Sequence, residues 1–160
     1  YAVYSAIVAQ SRHPRFYAEW GVPDTVTGRF DMISLHLALL FRRLRSEQRE
    51  IRDFSQAVFD LFFKDMDRSL REMGAGDMAV PKKIRNMGNI FYGLLTNLND
   101  AMDSRDRSAV EAVLARNLFP DEPKPSVAPL ATYLFEEAAK LDAQSLEAIV
   151  AGKIQLGAAA

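Results

Sequence analysis

IRDFSQAVFDLFFKDMDRSLREM, residues 51–73, decides the fold class. Ile51, Phe54, Val58, Leu61, Phe62, Met66, Leu70 and Met73 recur at helical spacing, and at about 100° per residue they share one side of a helix. Phe59 and Phe63 widen that side to about half the circumference, broader than the seam of a two-stranded coiled coil. Such a helix is expected to be covered from more than one direction and to organise the rest of the chain. Its other arc carries Asp53, Asp60, Lys64, Asp67 and Arg71, with Asp60–Lys64 and Asp67–Arg71 at i, i+4 in the favourable orientation, each pair contributing ~0.3 kcal/mol. Asp65 breaks the pattern by projecting into the apolar arc. A carboxylate buried there needs a cationic or hydrogen-bonding partner, and an arginine of a neighbouring helix is the expected one, ahead of an acid–base role.

The 160 residues are 49% apolar and 26% charged, ordinary values for a globular protein, and long enough for one domain with a sizeable core. A net charge of −1 gives no bulk attraction to nucleic acid. Without a cysteine there are no disulfides, thiolate zinc sites, iron–sulfur clusters or cysteine nucleophiles. The two histidines, His13 and His36, are not at metal-ligand spacing, and no cofactor motif is found. The chain starts at Tyr1 without a methionine, so an upstream segment is expected.

The rest of the chain reads as helices. Tyr1–Gln10 places Tyr1, Tyr4, Ile7 and Val8 on one face; Pro14 opens a turn through Phe16, Tyr17 and Trp20, with His13 as a solvated loop residue. Asp24 or Thr25 is positioned to cap a helix reaching about Arg45, apolar nearly all round over MISLHLALLF but too short to cross a bilayer, which needs ~20 such residues. It reads as a buried central helix, with Arg42, Arg43 and Arg45 at its negative pole. His36 stands alone among its apolar residues and is expected to hydrogen-bond across helices, so His36, Asp65 and Arg43 form a candidate structural polar core.

Gly74 fits a helix C′ position and Gly76 a tight reversal, in a loop that lacks the Gly-Lys-Ser/Thr of a phosphate loop. Pro81 opens the next helix, whose Ile84, Met87, Phe91, Leu94, Leu95 and Leu98 face inward and whose Gly88 and Gly93 allow close packing. Lys82, Lys83 and Arg85 cluster at its start, a candidate basic patch for an anion or acidic partner as well as a plain solvated face. Asp103 or Ser104 is expected to cap a helix over about Arg105–Phe119, the segment PDEPKPSVAP reads as a surface loop, a helix over about Val127–Leu141 follows, and Ser145 caps a last one. No period-2 strand, repeat or transmembrane span is found. The expectation is an all-α, single compact multi-helix domain over residues 1–160, built around the helix at 51–73.

FYAEWGVPDTVTGRFDMISLHLALLFRRL, residues 16–44, resembles the ubiquinol-cytochrome c chaperone family, the helical assembly factors of the respiratory bc1 complex. Phe16, Tyr17, Gly21, Pro23, Asp24 and Thr25 precede the helix, and Phe30, Ile33, Leu35 and His36 follow in the family's F-x-x-I-x-L-H pattern, trailed by Arg43 and Leu44. Arg71, Gly74, Lys82, Met87, Phe91 and Tyr92 of LREMGAGDMAVPKKIRNMGNIFYG also fit, so the likeness covers nearly the whole chain, in the compact bacterial form.

The resemblance implies a non-enzymatic assembly chaperone that binds newly made cytochrome b or an early bc1 intermediate, without cofactor. It also implies a cytoplasmic place at the inner membrane (the matrix side in a eukaryote) and, as further partners, a second assembly factor, the ribosome or the membrane surface. A client with apolar helices needs an apolar groove with polar edges, for which Phe59, Phe63, Phe91 and Tyr92 are the candidate lining, with the core as their other assignment. The alternatives are a helical domain binding lipid or a small apolar ligand, an acid–base enzyme assembled from Asp65 and His36, and an RNA-binding module.

Overall fold

A computed structural model describes residues 1–45, 48–74, 76, 79–119 and 127–157. Among them are eight helices and no strand: α1 (Ala2–Ser11), α2 (Pro14–Ala18), α3 (Val26–Arg43), α4 (Arg49–Glu72), α5 (Val80–Asp103), α6 (Arg107–Leu118), α7 (Val127–Asp142) and α8 (Leu146–Val150). The all-α expectation therefore holds, but the centre is different from the one the aromatic run at 51–73 suggests. In α3 every residue from Met32 to Leu40 is buried, and the helix packs against α1, α5, α6 and α7. Helix α4 lies mainly along α5 and α1 and buries only Ile51, Val58, Phe62, Met66 and Leu70. The reason is polarity around the circumference. One arc of α4 is charged and must stay wet, whereas the middle of α3 has no such arc and is satisfied only when enclosed.

The enclosed helix feeds two clusters of buried side chains from its two sides. Met32, Leu35 and Leu39 join Phe16, Leu98, Leu114, Leu130 and Leu134; Ile33, Leu37 and Leu40 join Ile7, Phe62, Phe91 and Ile149. Leu95, Ile154 and Leu156 pack against both, which ties the clusters together.

Local signals set the ends. The Thr25 hydroxyl accepts from Gly28 N–H at 3.1 Å, and Ser145 accepts from Ala148 N–H, as expected of N-caps. His13 is itself a cap, its Nδ1 accepting from Arg15 N–H. Gly28 is required where it stands: a Cβ there would lie 1.8 Å from the Pro23 carbonyl oxygen. Gly74 ends α4 at a φ of 90°. Helix α6 is capped by Asp106, not by Asp103 or Ser104. The chain turns at Arg105 (φ 55°), so Asp106 is the first side-chain acceptor facing the new helix, and it accepts from Ala109 N–H. Asp103 still belongs to α5. Tyr1, expected on the inner face of α1, is 84% exposed, because Val3, Tyr4, Ile7 and Ser11 form the buried stripe. Most of the Pro-rich segment lies outside the described residues, but Val127, Ala128 and Pro129 already belong to α7.

Candidate functional site

Three helices present one edge each to a common trench of about 280 Å³. From the end of α3 come Phe41, Leu44 and Arg45; from α4 come Arg52, Ser55, Gln56 and Phe59; from α5 come Phe91, Tyr92 and Leu95. The first two sets are i, i+3, i+4 and i, i+3, i+4, i+7 series, and on α5 Phe91 and Tyr92 each lie one turn from Leu95, the spacings that put side chains on one helical face. Aromatic rings meet across it, Phe59 to Tyr92 at 5.6 Å, Phe59 to Phe91 at 5.9 Å and Phe41 to Phe91 at 6.0 Å between centroids. Between buried rings such pairs contribute about 0.5–1.5 kcal/mol beyond their burial, and less where one ring, as at Tyr92, stands in water, so the floor is held by the inner rings.

The four candidate lining residues divide. Phe91 is fully buried and belongs to the core, reaching the trench only as its floor, because it lies on the inward stripe with Leu94 and Leu98. Phe59 is half-buried and Tyr92 is 54% exposed, so these two form an accessible wall. Phe63 is half-buried but outside the trench; it sits over Gly88, where a Cβ would be 3.4 Å from its ring. Gly88 thus gives the close approach expected of it, while Gly93 is exposed and faces open space.

At the polar end of the trench Arg45 is held by Asp103 through two contacts of 2.9 and 3.1 Å, and Arg42 adds a third at 3.0 Å. The hydrogen bond from Arg45 pulls the Asp103 carboxyl below the usual carboxylate range. Arg52 is exposed, and its side chain has no ion pair or hydrogen bond among the described residues. Lys82, Lys83 and Arg85 lie on the exposed side of the first turns of α5, away from the trench and unpaired among the described residues. Asp67 pairs with Arg71 at 2.9 Å, whereas Asp60 accepts from Gln56 at 2.8 Å.

The polar core lies on another side of the fold. His36 is 1% exposed, with Nδ1 2.8 Å from the Met32 carbonyl and 3.1 Å from the Ser11 hydroxyl. A carbonyl only accepts, so Nδ1 carries the proton and Nε2 is an acceptor. Tyr133 therefore donates its hydroxyl proton to Nε2 at 2.7 Å and accepts from Gln10 Nε2 at 2.9 Å. Burial lowers the His36 pKa from 6.5 and raises that of Tyr133, fixing both as neutral. This node joins α1, α3 and α7. Arg43 works differently from a buried charge pair: it donates to the carbonyls of Leu141 at 2.8 Å and Gln144 at 2.6 Å, closing the C-terminal end of α7.

Asp65 has its hydrogen-bonding partner on a neighbouring helix, Tyr4, whose hydroxyl donates at 2.7 Å. Its arginine is not from a neighbouring helix but Arg68, one turn on along α4. The correction is physical: Asp65 sits at the rim and its side chain keeps 20% exposure, so a solvated arginine reaches it along the surface. The site offers no group of three potential metal-ligating side chains among the described residues.

Two acids escaped the sequence reading. Glu137 is 1% exposed and accepts from Lys140 at 3.2 Å and from Gly157 N–H at 3.1 Å, tying the C-terminal segment to α7. Asp31, half-buried on α3 without a partner among the described residues, is pushed up to about 7 by desolvation. An acidic residue at i+3 from a lysine hinted at the first pairing only; nothing in the sequence pointed to the second.

The family model for the ubiquinol-cytochrome C chaperone matches residues 18–156. This chain belongs to the ubiquinol-cytochrome c chaperone family. The match takes in α3 to α8 and with them the whole trench and His36. The chain is 24% identical over 117 residues to ubiquinol-cytochrome-c reductase complex assembly factor 1 of Xenopus laevis, across 73% of its own length. It spans 58% of that relative. It is also similar to the crystal structure of the Cbp3 homolog from Brucella abortus, at 40% identity and a TM-score of 0.91, covering 98% of this chain and 87% of that one. Among the described residues no helix is long and apolar enough to cross a membrane.

Proposed function

We propose that this chain is a bc1-complex assembly chaperone that holds newly made cytochrome b, or an early intermediate containing it, in the trench between α3, α4 and α5. Family membership supports the assembly role. The observation that carries the site is the accessible aromatic wall of Phe59 and Tyr92 over the buried Phe91, with arginines at one end. An apolar helix laid there exchanges water for ring faces, the helix-in-groove mode of recognition. Holding of this kind requires no covalent step, cofactor or metal. Lys82, Lys83 and Arg85, unpaired among the described residues at the start of α5, are available to a second assembly factor, the ribosome or an anionic membrane surface, which supports a position beside the inner membrane.

The test is a chain carrying Tyr92→Ser expressed in place of the wild type in its own cells. Expected is an unchanged melting temperature together with a severalfold loss of haem b absorbance and assembled bc1 complex in the membranes. Normal bc1 content with the variant would overturn the assignment of the trench. Stoichiometric lipid retained by the purified wild type, with no effect on bc1 content, would move the trench to an apolar-ligand role.

A further inference from the structure

The trench is polarised along its length. On α4 its lining runs from Arg52 through Ser55 and Gln56 to Phe59, seven residues and so about 10 Å, from a cation to an aromatic ring. The two cations that line it are in different states. Arg45 is committed to Asp103, whereas among the described residues the Arg52 side chain has no partner and no carboxylate lines the trench. A guanidinium without a partner among the described residues, beside an accessible aromatic wall, is matched by an anion whose attached body covers that wall, since the pair strengthens as water is displaced.

Extending the client reading above, on which this rests, we infer that the trench selects an apolar helical segment bearing one carboxylate about two helical turns from the side chain seated against Phe59 and Tyr92, with Arg52 receiving the carboxylate. Two turns of a helix, seven residues, advance the same ~10 Å that separates Arg52 from Phe59 on α4 and return to the same face. A peptide also suits the middle of the lining. An acyl chain running from a phosphate on Arg52 towards Phe59 would press methylenes onto Ser55 and Gln56, whereas a helix can offer them polar side chains.

The experiment uses the full chain and fluorescein-labelled leucine–alanine helical peptides that carry one phenylalanine and, seven positions away, glutamate, glutamine or lysine. Fluorescence anisotropy reads the affinities. Expected is about fivefold tighter binding of the glutamate peptide than of the glutamine one, with the lysine peptide weakest and the spread narrowing in added salt. Arg52→Gln should remove the preference while keeping the glutamine peptide's affinity, and Arg52→Glu should reverse it. Equal binding of all three peptides, lost in Tyr92→Ser, would overturn the inference and leave the trench as a client site. Absence of binding by any peptide, or binding that survives Tyr92→Ser, would overturn both. Two further results would also overturn the inference by assigning the trench to another occupant. One is charge-blind peptide binding displaced by phosphatidylglycerol but not phosphatidylcholine vesicles; the other is concentration-dependent dimerisation of the chain abolished by Tyr92→Ser.

Discussion

The node at His36 and the trench at Tyr92 are both rich in aromatic rings, yet they are finished in opposite ways. Around His36 every hydrogen-bonding atom has a partner, and Phe16, Trp20 and Tyr133 close about the imidazole in tilted and edge-on pairs at 5.0–5.8 Å from one another or from it. At the trench Tyr92 is mostly in water and the Arg52 side chain is unpaired among the described residues. Both groups are hydrated where they stand, so the trench adds little to the folding free energy while the node adds much. The node holds three helices in register; the trench is open aromatic surface.

That contrast breaks most sharply at two neighbouring rings. Phe91→Ala should cost about 3–5 kcal/mol in urea unfolding, as a fully buried aromatic does, while Tyr92→Ala should change stability by less than ~0.5 kcal/mol. Similar losses from both would mean that Tyr92 is structural and the trench is closed. At the node His36→Ala should cost roughly 2–4 kcal/mol by leaving a cavity and orphaning the Tyr133 and Gln10 groups, and Tyr133→Phe about 1–2 kcal/mol.

Asp31 gives a pH-dependent difference of the opposite sign. Its folded pKa, about 7, stands above the ordinary 3.8, so the folded chain binds the extra proton between those values and loses stability as pH rises through them. Asp31→Asn should therefore match the wild type at pH 4 and melt several degrees higher at pH 8. A constant difference across that range would remove desolvation as the cause. Among the residues with structural partners the smallest effect is expected at Asp65→Ala, about 1 kcal/mol, because the rim position lets water replace part of what Tyr4 loses.

The sequence showed the helices well because their apolar stripes follow the 3.6-residue period, and it showed caps wherever a Thr or Ser directly precedes such a stripe, as at Thr25 and Ser145. It misplaced the α6 cap, since the left-handed turn at Arg105 is a backbone event that a non-glycine residue does not advertise. Two helices read as central, the aromatic one at 51–73 and the one reaching about Arg45 that is apolar nearly all round, and evenness of polarity makes the second the enclosed one. For the trench, the wheel already separated Phe91 from Tyr92 by placing Phe91 on the inward stripe. The arginine end could not be read, because Arg45 finds its acid, Asp103, 58 residues away. Glu137 was hidden for the same reason, its oxygen being taken by the main chain of Gly157.

The most direct test is in-cell photo-crosslinking with a benzophenone residue at Tyr92 in one chain and at Trp20, beside the node, in another. Cytochrome b captured from Tyr92 and absent from Trp20 is the result expected of a client trench. Cytochrome b captured equally from both, or from Trp20 alone, would contradict it.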